Sequence, residues 1–400
     1  MLRSLLLLSI VAPFAIADDW PGLFGPTRDG QSKETKLNWT WPKAGPPIDW
    51  KADVGKGNAG PVVAKGVVYL WQRLEDDDVL STYAADTGKP GWVYKTAARG
   101  REGPQSAPLI AGDAIYALGY GGKLSAVNLK DGTKKWTVDF QKDYKSPEGY
   151  FGYGQGLIAI GKNLIANVGA KGAGIVAFDL ETGKEAWKAT DDPASYSTPA
   201  SIDWNGKPHA VVFTRTGLVV IDAATGEVSH SRKHRASYDA SVNASTPLVK
   251  GNEVFLTSSY QTGALLAKLG KTDVEEVWMD DATLSCHFNT PIRIGDYLFG
   301  VHGRQEGNRA SLVCAKWSTG GVQWREKEFG AAHLICVDDG LLALRENGEI
   351  VRFEATELGY KPKANSILLD GLTRAPPALA DGRLFLRNET TLIAANLKGK

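Results

Sequence analysis

The stretch Ala177-Phe178-Asp179-Leu180-Glu181-Thr182-Gly183-Lys184-Glu185-Ala186-Trp187 decides the fold, because variants of it recur along the whole chain. Its elements are an apolar end, an Asp or Asn, a Thr-Gly or Asp-Gly turn, and a Trp a few residues on. Asp86-Thr87-Gly88 leads to Trp92, Asp131-Gly132 to Trp136, and Thr319-Gly320 to Trp324. Thr225-Gly226 leads to His230 in the Trp slot, and Trp278 follows a longer turn after Lys268-Leu269-Gly270. Asx-type side chains and glycine are the residues that close tight turns, so each box marks the link between two strands.

A second box precedes each turn: a small or polar residue, Pro, two or three apolar residues, then Gly. It reads Gly60-Pro61-Val62-Val63, Ala107-Pro108-Leu109-Ile110, Thr198-Pro199, Thr246-Pro247-Leu248-Val249, Thr290-Pro291 and Pro376-Pro377-Ala378-Leu379. Versions without Pro stand at Gly156-Leu157-Ile158 and His333-Leu334-Ile335, which makes eight starts. Between boxes lie short β-branched and aromatic runs such as Val67-Val68-Tyr69-Leu70 and Glu253-Val254-Phe255-Leu256, too short for helices and bounded by glycine. Residues 46–400 divide into about 44 per start, a period that predicts an all-β, eight-bladed propeller of four-stranded antiparallel blades. The last unit stops after Leu392-Ile393-Ala394-Ala395-Asn396-Leu397 with no Trp strand, while Ile48-Asp49-Trp50-Lys51-Ala52 is a Trp strand with no unit before it. The N-terminal strand is therefore expected to complete the last blade and clasp the ring.

The 400 residues carry 46 Lys+Arg against 45 Asp+Glu, a balance that provides no field for nucleic acid or an anionic membrane surface. Ordinary apolar content excludes wholesale disorder, and 45 glycines without a three-residue period exclude collagen. Residues 1–17 combine Arg3, an apolar run from Leu5 to Val11 and an Ala15-x-Ala17 site, the pattern of a signal peptide cleaved near Ala17. That predicts a periplasmic or extracellular protein, and no later apolar run is long enough for a transmembrane segment. Three cysteines do not make a disulfide framework, although secretion would permit a Cys286–Cys336 bridge between adjacent blades. Cys314 occupies the place of Ala126 and Ala177 in other repeats and reads as a small buried apolar residue.

The paired Pro and Trp boxes resemble the pyrroloquinoline-quinone-like repeat of the quinoprotein-type propellers. The segment 18–45 carries Asp19-Trp20-Pro21-Gly22-Leu23-Phe24-Gly25-Pro26-Thr27-Arg28-Asp29-Gly30, similar to the box that opens many secreted bacterial members. The resemblance implies that Trp50, Trp92, Trp136, Trp187, Trp278 and Trp324 dock neighbouring blades. One branch of the family comprises quinone-dependent alcohol and glucose dehydrogenases; its alcohol enzymes are long, with calcium, a catalytic Asp and an adjacent-cysteine disulfide. The other comprises shorter binding propellers such as the scaffold subunit of the barrel-assembly machinery. This chain has no Cys-Cys pair and no matching Glu, Asn and Asp ligand set, so it resembles the second branch. The expectation is a scaffold without catalysis or cofactor, a monomer binding a protein partner or small polar ligand on one face. The alternatives are an oxidoreductase using the quinone (PQQ) with calcium, and a carbohydrate-binding or carbohydrate-cleaving propeller.

In a propeller the innermost strands start around the axis, so residues just before each Pro box converge on one channel mouth. Asn58, Gln105, Tyr153, Gln155, Tyr196, Asn243, His287, Asn289, His333 and Arg374 form that expected ring, which would hold either a small polar or anionic ligand or only channel water. Cys286 and His287 are adjacent and poorly placed to chelate one zinc ion, so no metal site is expected. The segment Phe140–Tyr153 carries five aromatics and reads either as a stacking surface for sugars or peptides or as a cover for the third blade. His230-Ser231-Arg232-Lys233-His234-Arg235 is a basic run expected in a solvated loop, and Glu75-Asp76-Asp77-Asp78 an acidic one. Nucleophile-elbow, phosphate-loop and His-Glu-x-x-His signatures are absent.

Overall fold

The Pro boxes become the innermost strands of eight separate sheets in the computed structural model, which describes residues 19–237, 241–305 and 309–398. The leader segment and its Ala17 site lie outside the described residues. Each sheet has four antiparallel strands, in sequence order in blades 1 to 7, with inner strands Val62–Ala64, Leu109–Ala111, Ile158–Ile160, Ala200–Trp204, Leu248–Lys250, Ile292–Ile294, Ala332–Val337 and Ala378–Ala380 for blades 1 to 8. Blade 8 has only three strands from the C-terminal end of the chain. Its fourth is Ile48–Asp53, whose Trp50 pairs with Ala394 and Asp53 with Thr391. The clasp joins residues 338–347 apart in sequence and leaves no open blade at the seam, which is how a ring of sheets avoids an exposed edge.

Every outer strand carries a register shift where it passes the Trp slot, as between Ala126 and Val127 opposite Trp136, and between Ala177 and Phe178 opposite Trp187. A bulge bends the strand and increases its twist. The side chain in the slot thereby reaches the next blade. The indole Nε1–H groups of Trp50, Trp136, Trp187, Trp278 and Trp324 donate to carbonyls of Ala85, Leu180, Ala223, Trp317 and Thr356, at 2.8–3.1 Å. The turn glycine of the next blade then lies flat on the ring: a Cβ on Gly88 would stand 2.6 Å from Trp50, one on Gly132 2.4 Å from Trp92, and one on Gly226 2.7 Å from Trp187. Gly226 also has φ +77°, so both backbone conformation and ring contact require glycine there.

Two junctions differ. Between blades 4 and 5 His230 takes the slot, with Nε2 bonded to the Gly270 carbonyl at 3.0 Å and the ring edge-on to Trp204. The basic run His230–Arg235 begins inside the strand Val228–Lys233, and His234 is buried against Phe213; it is not a solvated loop, because the repeat places these residues on an outer strand and at a blade contact. Between blades 7 and 8 the slot holds Ala364, opposite a buried Arg352. Arg352 bonds the Phe353 carbonyl and Asp339 and lies 4.7 Å over the Trp39 ring. Leu37, Trp39 and Trp41 pack on the apolar cluster of blades 7, 8 and 1.

The segment before the first strand enters the channel. Trp20 exchanges two backbone hydrogen bonds with Val63 of blade 1, and the Pro21 carbonyl accepts from Ile110 of blade 2. Arg28 Nη2 donates to the Leu157 carbonyl beside blade 3, and Gln31 Nε2 to Arg293 of blade 6. Gly30 and Ser32 exchange backbone bonds with Cys336 of blade 7. Since the inner strands surround the axis, a segment bonded to blades 1, 2, 3, 6 and 7 crosses the channel and plugs it.

Candidate functional site

Plugging leaves a cavity of about 450 Å³ where the eight inner strands begin. Leu23 and Phe24 of the plug form its floor, and each blade contributes to its wall. Six of the ten expected ring residues line it: Asn58, Gln105, Tyr196, His287, His333 and Arg374. The other four do not, which corrects the expected ring. Tyr153 donates its hydroxyl to the Ser146 carbonyl, Gln155 its amide to Asn167, Asn243 to Thr214 and His234, and Asn289 to Ala332. Their positions fall near the mouth, but buried backbone carbonyls there need donors, and these side chains turn inward to supply them.

The lining residues hold one another in place. Asn58 Nδ2 donates to Gln105 Oε1 at 2.8 Å, and Gln105 Nε2 to the Gly103 carbonyl. His287 lies between the Tyr260 hydroxyl at 2.8 Å and Gln305 Oε1 at 2.7 Å. A neutral ring satisfies both, with Nδ1–H donating to Gln305 and Nε2 accepting from Tyr260. His333 lies on the inner strand itself and is 8% exposed. Its Nε2–H donates to the Arg374 carbonyl at 2.9 Å, while Nδ1 is buried with no hydrogen-bond partner in the protein. Burial lowers its pKa to about 4, so the ring is neutral and Nδ1 presents a lone pair.

The arginines of the cavity each have a carboxylate close by. Arg374 Nε meets Glu346 at 2.5 Å, and Arg101 lies beside Glu102 at 3.9 Å and over the Tyr150 ring at 5.4 Å. The aromatic loop divides into two parts. Phe140 opens the short helix Phe140–Tyr144 and is buried with Tyr153 against Phe178, which covers the third blade. Tyr150 and Phe151 stay exposed at the rim, where the Phe151 N–H donates to the Tyr196 hydroxyl. Sequence reasoning did not place Arg101, Phe288, Gln305 or Glu389 at the cavity, and Leu23 and Phe24 were visible only as part of an opening box.

In the quinone-dependent alcohol enzymes that the repeat resembles, the quinone is accompanied by a metal ion, calcium in the expectation above, held by carboxylate and amide oxygens. The lining carboxylates are Glu102, paired with arginine, and Glu389, and among the described residues no three His, Cys, Asp or Glu side chains meet as a metal group. Cys286, Cys314 and Cys336 are all free thiols, so the Cys286–Cys336 bridge is not formed and no cysteine pair stands above a ring site. Desolvation raises the thiols of Cys286 and Cys314 to about 12 and that of Cys336 to about 11, which marks all three as unreactive packing groups. The donor set does not fit a calcium-bound quinone.

Residues 43–149 and 153–308 match the family model of outer membrane protein assembly factor BamB, well over half of the chain. The chain belongs to that family of PQQ-like propellers. It is 26% identical over 263 residues to BamB of Burkholderia pseudomallei, covering 64% of each protein. It is also 29% identical over 169 residues to the quinohemoprotein alcohol dehydrogenase ADH-IIG of Pseudomonas putida, which is 38% of this chain and 22% of that enzyme. The chain therefore matches less than two thirds of the length of either relative. The crystal structure of BamB from Moraxella catarrhalis superposes with a TM-score of 0.65 at 13% identity, over 88% of this chain and 98% of that one. The quinohemoprotein alcohol dehydrogenase of Comamonas testosteroni superposes with a TM-score of 0.52 at 13% identity, over 96% and 81%. These superpositions show a shared fold.

Proposed function

We propose that this protein is a non-catalytic binding propeller, working through the face onto which the plugged axial cavity opens. One observation carries the reading: the axis, where quinoprotein propellers hold their cofactor, is furnished mainly with neutral hydrogen-bonding side chains and with arginines that have carboxylates close by, and among the described residues no three potential ligands meet there as a metal group. Membership of the BamB family supports it, as does the rim of exposed Tyr150, Phe151 and Leu372 around the opening. The leader pattern at residues 1–17 supports a periplasmic or extracellular location for the mature protein, with residues 19–32 serving as the plug and residues 46–398 as the ring. Among the described residues no helix is long and apolar enough to cross a membrane.

Two measurements test this. A photo-crosslinker at Leu372 should form discrete adducts in the native secreted fraction, and one at Val322, on an outer strand, should not. Incubation with pyrroloquinoline quinone and calcium should produce no dye-linked oxidation of alcohols or sugars. Turnover there, or indistinguishable adducts from both positions, overturns the reading.

A further inference from the structure

We propose that the axial cavity is the end-subsite of a carbohydrate site, taking the terminal ring of an uncharged oligosaccharide whose next units run over Tyr150, Phe151 and Tyr196. This deepens the binding reading and rests on it. Three features carry it. First, the polar lining consists of amide, hydroxyl and imidazole groups from Asn58, Gln105, Tyr196, His287, Gln305 and His333, and His333 carries a buried acceptor, Nδ1, without a protein partner, which a ligand reaches only if the ring turns toward the cavity and which then calls for a hydrogen-bond donor. A carboxylate or quinone oxygen cannot do so. A sugar hydroxyl can, and its own oxygen then accepts from the surrounding amide and hydroxyl side chains. Second, each lining arginine has a carboxylate close by, Glu346 at 2.5 Å for Arg374 and Glu102 at 3.9 Å for Arg101, which lessens the pull on an anion relative to a neutral ligand. Third, the aromatic surface continues beyond the cavity: a second hollow of about 640 Å³ shares Tyr150, Phe151 and Tyr196 with it and extends to Tyr260. Aromatic faces bury the apolar C–H face of a sugar ring while leaving its hydroxyls free to bond. Cavities of roughly 300–1,000 Å³ lined by aromatics with a few convergent polar groups are the usual form of a small-ligand site.

The experiment is titration of the whole protein with glucose, galactose, mannose and N-acetylglucosamine, with their β- and α-linked di- and trisaccharides, and with gluconate, followed by calorimetry; a glycan array extends the panel to chain-terminal sugars. At least one neutral oligosaccharide should bind saturably, at least tenfold more tightly than its monosaccharide and than gluconate. His333→Phe should weaken both oligosaccharide and monosaccharide at least tenfold. Phe151→Ala, at an exposed position that folding does not depend on, should weaken the oligosaccharide at least fivefold and the monosaccharide less. Phe151→Ala decides the matter where His333→Phe melts early. No binding across panel and array, preferred binding of gluconate, or wild-type affinity in a folded variant overturns the proposal. If face-specific crosslinks persist in that case, the binding reading survives and only the carbohydrate assignment falls. Quinone-dependent turnover would remove both.

Discussion

The junction between blades 3 and 4 and the junction between blades 7 and 8 fill the same gap with opposite distributions of bulk. At the first, small Ala177 pairs with large Trp187, whose ring is covered by Gly226 and whose N–H meets the Ala223 carbonyl. At the second, large Arg352 pairs with small Ala364, and the cover comes from Trp39 of the N-terminal segment. The comparison teaches that the repeat keeps a filled volume at the junction more strictly than it keeps a residue. It also shows where the ring depends on a segment outside the repeat.

The seam is the place to break that comparison most severely. Deleting residues 46–54 removes the strand that completes blade 8, exposing Leu392–Ala395 and an open sheet edge; the whole ring should then lose its cooperative transition in thermal unfolding, and a minor local change would refute the clasp. Next in size, Trp187→Ala should cost about 3–5 kcal/mol in chemical denaturation, the range for truncating a buried aromatic. Gly226→Ala should cost roughly 2–4 kcal/mol, from positive φ together with overpacking against the indole. In the double variant the two losses should be less than additive, because removing the ring relieves the contact.

The histidine junction sharpens the comparison through pH. His234 is bonded to the Gly263 carbonyl at 3.2 Å across blades 4 and 5, and burial lowers its pKa to about 4 from the ordinary 6.5. The unfolded chain therefore binds the extra proton more readily. Stability is fully present above pH 6.5 and declines as pH falls toward 4, by roughly 1.4 kcal/mol per pH unit for each such histidine. His333 behaves in the same way. Melting of His234→Phe between pH 7 and 4.5 should show a shallower decline than wild type; an unchanged slope would refute the assignment. The smallest effect is expected at the arginine junction. Arg352 has a buried Nε without a partner, and its Asp339 is almost fully exposed, so Arg352→Met should change stability by no more than about 1 kcal/mol. A loss as large as that of Trp187→Ala would show that the guanidinium is as essential as the indole.

The ring was legible because its signals are local. Pro and Gly bracket each inner strand, the turn box sits a few residues before each Trp, and the orphan Trp50 strand announces the clasp. The alignment of Cys314 with Ala126 and Ala177 was readable for the same reason: all three stand opposite a slot Trp, at Trp324, Trp136 and Trp187. The cavity was legible only in part. Repeat position locates a Cα near the mouth but does not say where the side chain points, and Tyr153, Gln155, Asn243 and Asn289 were drawn away by carbonyls that folding brought near them. The open acceptor on His333 depends on a carbonyl 41 residues later, and the floor at Leu23 and Phe24 depends on contacts with five blades. No spacing within one repeat encodes either.

The plug also imposes an order of assembly. Residues 19–32 are synthesised before any blade, yet their bonding partners include Arg293 and Cys336, far down the chain. The bonds of Trp20, Pro21 and Arg28 need only the first three blades, but those of Gly30, Gln31 and Ser32 must wait until six or seven blades exist. The plug is thus completed last, and a molecule whose ring has failed to close has no finished pocket to offer.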